Sequence, residues 1–181
     1  MARYVALLRG VNVAGKNKLP MSDLRSLLTN LGASTVRTYL QSGNAVFDHP
    51  AKGPGRLAAK IEQALADAGV PAKVLLRTPD ELAAVLAGSP YLDTESDLTK
   101  LHVSFLATAP AADRASDLQV PPGESGTFTL RGKEVHLHCP DGYGRTKLNN
   151  TFIEKRLATV ATTRNWKTVT ALHELAGSDP D

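Results

Sequence analysis

The sequence predicts an α+β fold: a ferredoxin-like βαββαβ N-terminal half over residues 1–77, followed by a related βαββα half with an extra C-terminal helix over 101–181. Two observations carry this. Short apolar runs and helical-period stretches succeed one another as β-α-β-β-α-β before residue 77. The order β-α-β-β-α then recurs after residue 101, as a repeat of architecture with no visible repeat of residues. A linker helix and an acidic connector over 78–100 join the two subdomains.

Residues 4–8 form a continuous apolar run, the pattern of a buried strand, and 9–19 follow as a polar loop. Met21, Leu24, Leu27, Leu28 and Leu31 repeat at helical spacing, with Pro20 suited to the first turn and Gly32 to the stop. Strands at 36–40 and 45–47 flank Gln41-Ser42-Gly43-Asn44, a hairpin tip of residues that tolerate positive φ. Pro54-Gly55 opens a second helix with Leu57, Ile61 and Leu65 on one face and Gly69 at its end, and 70–76 return as a strand.

Thr78-Pro79-Asp80-Glu81 has the capping-box spacing of a helix start, and that helix stops near Gly88. Strands are expected at 102–107, 126–130 and 134–138, with a short helix at 112–118 and a turn at Pro121-Pro122-Gly123. Helices at 151–161 and 166–176 finish the chain, ahead of a frayed tail at 177–181.

A hydrophobic content of 42% and a charged content of 22% are those of an ordinary globular protein. No apolar run approaches the roughly 18 residues that cross a bilayer, and no signal-like apolar stretch follows Met1, so no membrane partner is expected. The single cysteine, Cys139, excludes an internal disulfide and fits a reducing cytoplasm. Charge is unevenly placed: residues 1–77 hold 11 Lys/Arg against 4 Asp/Glu, whereas 78–127 hold 2 against 8. The basic first third suits phosphates, and the acidic middle is its alternative partner within the chain.

Three segments place a basic residue and an asparagine just before a helix start: Lys16-Asn17-Lys18, Arg145 to Asn150, and Arg164-Asn165. A helix N-terminus carries partial positive charge, which disfavours a cation there by about 0.3–1 kcal/mol. The arrangement makes sense if an anion completes each site. The ligand-binding candidates are therefore Arg9, Asn12, Lys16, Arg145, Lys147, Asn150, Arg164 and Asn165, together with Arg37, Gln41 and Asn44 from the hairpin. Alternation puts Arg37, Tyr39 and Gln41 on one strand face, which helices packed on the other side of the sheet would leave open to stacking and phosphate contact or to packing on the second half.

Gly10 to Asn17 resembles a phosphate-binding loop after a strand, but Asn17 lacks the hydroxyl that reaches magnesium, and Lys18-Leu19-Pro20 separates the loop from its helix. His136 and His138 share one side of a strand beside Cys139 without a third ligand at metal spacing, which reads as an exposed edge strand with no metal. Cys139, next to Pro140, has no cationic helix terminus to make it reactive. Glu154 caps Thr151 by the Thr-x-x-Glu pattern or serves as a general base, and Tyr39 is the other proton-transfer candidate. No cofactor is expected.

The run Tyr4 to Gly10 with Asn12, Gly15, Lys16 and Met21, then Thr38 to Asn44, then Lys147, Asn150 and Glu154, and finally Ala161 to Trp166 with Thr168-Val169, resembles domain-of-unknown-function family 1697, a mainly bacterial family. The resemblance implies an α+β fold with a ferredoxin-like first half and carries no activity with it. Ala14 stands where the family is associated with a second glycine, which bears on loop geometry alone.

These residues lead to three expectations. The first is a module that binds a phosphate-bearing ligand, a nucleotide or a short single-stranded nucleic acid. The second is an enzyme on a small phosphorylated or carboxylated substrate, using Glu154 or Tyr39. The third is structural charge pairing with no ligand.

Overall fold

The computed structural model describes residues 1–179. It comprises two compact units, one made of Met1–Ala83 with the residues from Ala171 onward, the other of Ala84–Thr170.

In the first unit β1 (Ala2–Arg9), β2 (Ser34–Thr38), β3 (Asn44–His49) and β4 (Lys73–Arg77) form an antiparallel sheet in the order β2-β3-β1-β4. Helix α1 (Met21–Asn30) connects β1 to β2, and α2 (Pro54–Asp67) connects β3 to β4, which is the ferredoxin-like order. Tyr4, Ala6, Leu8 and Phe47 pack on Leu24, Leu28, Leu57, Ile61 and Leu65 in one apolar cluster. Each fully buried leucine, isoleucine or phenylalanine among them contributes about 1.5–3 kcal/mol. Both helices stop at a glycine in the left-handed region, Gly32 (φ 97°) and Gly69 (φ 80°). In each case the next N–H reaches back to an earlier carbonyl, Ala33 to Leu28 and Val70 to Leu65.

The opposite face of this sheet is not open. Val5, Leu7 and Val46 are fully buried, because β1 is apolar at every position from Tyr4 to Leu8 and so reads as a strand covered on both sides. The stacking platform expected around Arg37 and Tyr39 is thereby corrected; both residues are half-buried. Arg37 and Arg3 instead donate to the last carbonyls of the C-terminal helix α6 (Trp166–Gly177). Arg37 Nη2 reaches Leu175 O at 2.7 Å, and Arg3 Nη1 reaches Ala176 O at 3.0 Å. Guanidinium groups at that position satisfy orphan carbonyls and complement the negative end of the helix dipole.

In the second unit β5 (Leu101–Leu106), β6 (Thr127–Arg131), β7 (Glu134–His138) and β8 (Ala161–Asn165) form an antiparallel sheet in the order β6-β7-β5-β8. Helices α4 (Ala112–Asp117) and α5 (Asn150–Leu157) complete it; α3 (Pro79–Ala87) lies between the two sheets in sequence. Its core joins Leu106, Val135, Leu137 and Ala161 to Ile153, Leu157 and Leu148.

The α+β class holds, with one element more than the sequence suggested: β8 supplies the fourth strand where only helices were read. Its five residues, Ala-Thr-Thr-Arg-Asn, lack an apolar alternation, since two of its three buried positions are Thr162 and Arg164. A second correction concerns β7, which lies between β6 and β5 and is not an edge strand, so His136 is buried.

With β8 in place, the halves correspond residue by residue at one point. Arg77 ends β4 opposite Val5, and Arg164 stands in β8 opposite Val103. Each is buried, and each donates Nη1 to the carbonyl of the preceding residue at 3.0 Å. Each is followed by a helix cap. Thr78 and Glu81 bond reciprocally at the start of α3, and Asn165 Oδ1 accepts from Thr168 N–H at 2.8 Å at the start of α6.

Candidate functional site

The loop after β1 is the most organised irregular segment of the first unit. Gly10, Asn12, Ala14, Gly15 and Asn17 all have positive φ, between 49° and 89°. Non-glycine residues there are strained by roughly 1–2 kcal/mol each, so their neighbours must hold them. Asn12 does much of this. Its Nδ2 donates to Leu19 O (2.9 Å) and Gln41 O (2.7 Å), and its Oδ1 accepts from Leu19 N–H (2.8 Å). Asn17 Nδ2 donates to Gly10 O (2.8 Å) and Pro71 O (3.3 Å). The loop is thus stitched both to the hairpin tip and to the approach to β4.

The hairpin tip is equally fixed. Asn44 is fully buried, its Nδ2 donating to Tyr39 O at 2.7 Å and Ser42 Oγ at 2.9 Å, and Leu40 has φ 59°. Gly43 has φ 86°, and a Cβ there would meet Val11 Cγ2 at 2.7 Å and Leu8 Cβ at 2.8 Å. Only glycine lets the tip lie this close to β1. On this frame Lys16 and Lys18 are exposed, and neither has an ion pair among the described residues. Arg9, at the end of β1 opposite Lys73, is half-buried. Gln41 is exposed and contributes its carbonyl to Asn12. Lys16 N–H bonds Val13 O at 2.9 Å in a tight turn that ends short of α1, so the loop does not have the strand-to-helix geometry of an NTPase phosphate loop.

Asn12, Arg37 and Asn44 have structural partners, and Arg9, Lys16 and Gln41 lie toward the same end of the first sheet.

In the second unit the candidates fall into separate settings. Lys147 Nζ donates to Pro122 O (3.0 Å), and its backbone N–H donates to Glu124 Oε2 (2.6 Å). That bond is the main cause holding the Glu124 carboxyl below the usual range. Arg145 is exposed and, with Thr146 and Lys147, lines a cavity of about 170 Å³ that Glu124 and Asp141 also line. Asn149 caps α5, its Oδ1 accepting from Phe152 N–H at 3.0 Å; the Thr151–Glu154 capping expected from sequence does not form. Glu154 Oε2 instead accepts from Ala161 N–H at 3.1 Å, closing the turn into β8. Asn150 Oδ1 accepts from Thr163 Oγ1 at 2.6 Å, and Thr163 is bonded in turn to Ser104. Arg164 donates to Thr162 Oγ1 at 2.7 Å, and burial pushes its guanidinium down to about 10. Asn165 caps α6.

Burial also pushes His136 down to about 4 and raises the Cys139 thiol, the opposite of what a reactive thiolate needs. His138 Nε2 lies 2.8 Å from Glu95 Oε2, with the Tyr91 ring stacked on it. Among the described residues no group of three His, Cys, Asp or Glu is placed to hold a metal ion, and no helix is long and apolar enough to cross a membrane.

Residues that the sequence did not suggest complete the basic end of the first sheet. Lys73, Glu62 and Gln63 line a cleft with Arg9, and only the antiparallel register of β1 with β4 brings residue 73 beside residue 9.

The model of a family described as protein of unknown function (DUF1697) matches residues 1–136, three quarters of the chain and all of the segment just described. The chain belongs to the DUF1697 family. The family match ends before Lys147, Asn150 and Glu154. A solved structure, that of the conserved bacterial protein SP0830 from Streptococcus pneumoniae, is similar over 98% of this chain and 99% of its own, at 25% identity and a TM-score of 0.76. No curated protein matches the chain. The likeness of the DUF1697 chain to that neighbour thus extends over nearly its full length.

Proposed function

We propose that this DUF1697 protein binds a phosphate-bearing ligand, a nucleotide or a short single-stranded nucleic acid, at the loop after β1. One observation carries the reading: a loop with several left-handed residues, tied down by Asn12 and Asn17, presents Lys16 and Lys18 to solvent with no carboxylate partner among the described residues. Strain held in place by specific side chains is characteristic of ligand contacts, and ammonium groups on a fixed frame meet phosphate at little ordering cost. Gln41 at the adjoining tip adds an exposed amide.

The enzymatic alternative is less favoured, since Glu154 Oε2 accepts from Ala161 N–H and closes the turn into β8. A cytoplasmic location fits the lone, buried Cys139 thiol, and a bacterial source fits the pneumococcal neighbour.

A thermal-shift screen with nucleotides, sugar phosphates and oligonucleotides, repeated at high salt, tests the proposal. Stabilisation by phosphorylated compounds that weakens as salt rises is the expected outcome. Equal responses to phosphorylated and unphosphorylated forms would refute it.

A further inference from the structure

Beside the loop lies a cleft of about 430 Å³, within the size range of small-molecule sites. One wall is the exposed face of α2, where Ala59, Glu62, Gln63 and Ala66 recur at the spacing of residues that share a helix face. The other is made by Pro71, Ala72 and Lys73, and Arg9 stands at its end, paired in register with Lys73. The three alanines and the proline give an apolar surface with no bulky side chain. Glu62 is held in place by Val74 N–H at 2.9 Å and by Lys73 Nζ at 3.5 Å, and Gln63 by Asp67 at 2.8 Å. Asn17, by donating to Pro71 O, fixes the lysine-bearing loop to the rim of this cleft.

We infer that this cleft takes one mononucleotide. The phosphate lies toward Arg9 and Lys73. The base or sugar face rests on Ala59, Ala66, Pro71 and Ala72, while Glu62 and Gln63 meet hydroxyl or ring N–H groups. The inference deepens the phosphate-ligand reading and rests on it. Cations at one end, small apolar residues along the wall and an acceptor beside them match the parts of a nucleoside monophosphate in order. A single strand of nucleic acid would instead need a basic track with several aromatic platforms.

The test is calorimetric titration of adenosine 5′-monophosphate, adenosine and a single-stranded oligonucleotide into the full chain and three variants. Ala66→Trp fills the cleft from an exposed helix position, Arg9→Gln removes its end charge, and Lys16→Ala/Lys18→Ala strips the loop. Melting temperatures report that each variant is folded. The inference expects the monophosphate to bind, adenosine to bind at least about tenfold more weakly, and Ala66→Trp and Arg9→Gln each to weaken the monophosphate about tenfold. Monophosphate binding unchanged in a folded Ala66→Trp but weakened in the lysine variant would overturn the cleft and leave the phosphate reading standing, as would binding of the oligonucleotide alone. Binding of neither would overturn both.

Discussion

Asn12 holds Leu19 N–H, Leu19 O and Gln41 O with one side chain while sitting at φ 54° itself. An asparagine in a turn is ordinary, and its type alone does not distinguish a cap from a brace; the partners are seven and 29 residues away. Asn12→Ala removes all three bonds and leaves backbone groups half-satisfied, so a loss of about 1–3 kcal/mol in urea denaturation is expected. An unchanged midpoint and slope would mean that the loop is not braced by this residue. His136 gives a pH prediction. Its folded value, about 4, lies below the ordinary imidazole value of about 6.5, so the unfolded chain binds more protons between those limits. Stability should therefore be complete above pH 6.5 and fall as the pH drops toward 4, by up to about 1.4 kcal/mol per pH unit. Chemical denaturation of the wild type and His136→Gln at pH 7, 6 and 5 checks this: the variant should lack that component of the slope.

Elements with a strong period were legible from sequence and those without one were not. The helical spacing of Met21, Leu24 and Leu28, and of Leu57, Ile61 and Leu65, marks α1 and α2 because each buries a single apolar stripe. β8 was hidden because two of its buried positions are threonine and arginine, whose burial depends on neighbours far away in sequence. The inner position of β7 was hidden for a related reason: alternating histidines look exposed until the strand order is known. Residues at helix starts are recognisable by type, but the assignment of Asn149 and of the candidate Asn165 to capping, and of the candidate Arg37 to the end of α6, needs coordinates. The last of these is open to a direct check. In Arg3→Met/Arg37→Met, hydrogen exchange should quicken in the last turn of α6 while β1 and β3 keep their protection. Equal protection in both chains would show that the arginines do not hold that turn.

At the level of the whole molecule, the chain is two versions of one plan: four antiparallel strands in the same order, a buried arginine in the last strand, a capping residue and a closing helix. The plan was visible in the element order but not at residue level, since Arg77 and Arg164 become equivalent only through their opposites, Val5 and Val103. The halves differ in charge. Residues 1–77 carry 11 Lys/Arg against 4 Asp/Glu, and the exposed lysines of the braced loop belong to that excess. The candidate anion site therefore belongs to one half only, and its chemistry is independent of the repeated framework. The most direct measurement is an equilibrium titration of the phosphorylated ligand that gives the largest thermal shift, against wild type and Lys16→Ala/Lys18→Ala at low and at high salt. Binding at least about tenfold weaker in the variant at low salt, with the two proteins converging as salt rises, is the expected result; equal affinities at low salt, in a variant with an unchanged melting temperature, would contradict a phosphate site at this loop.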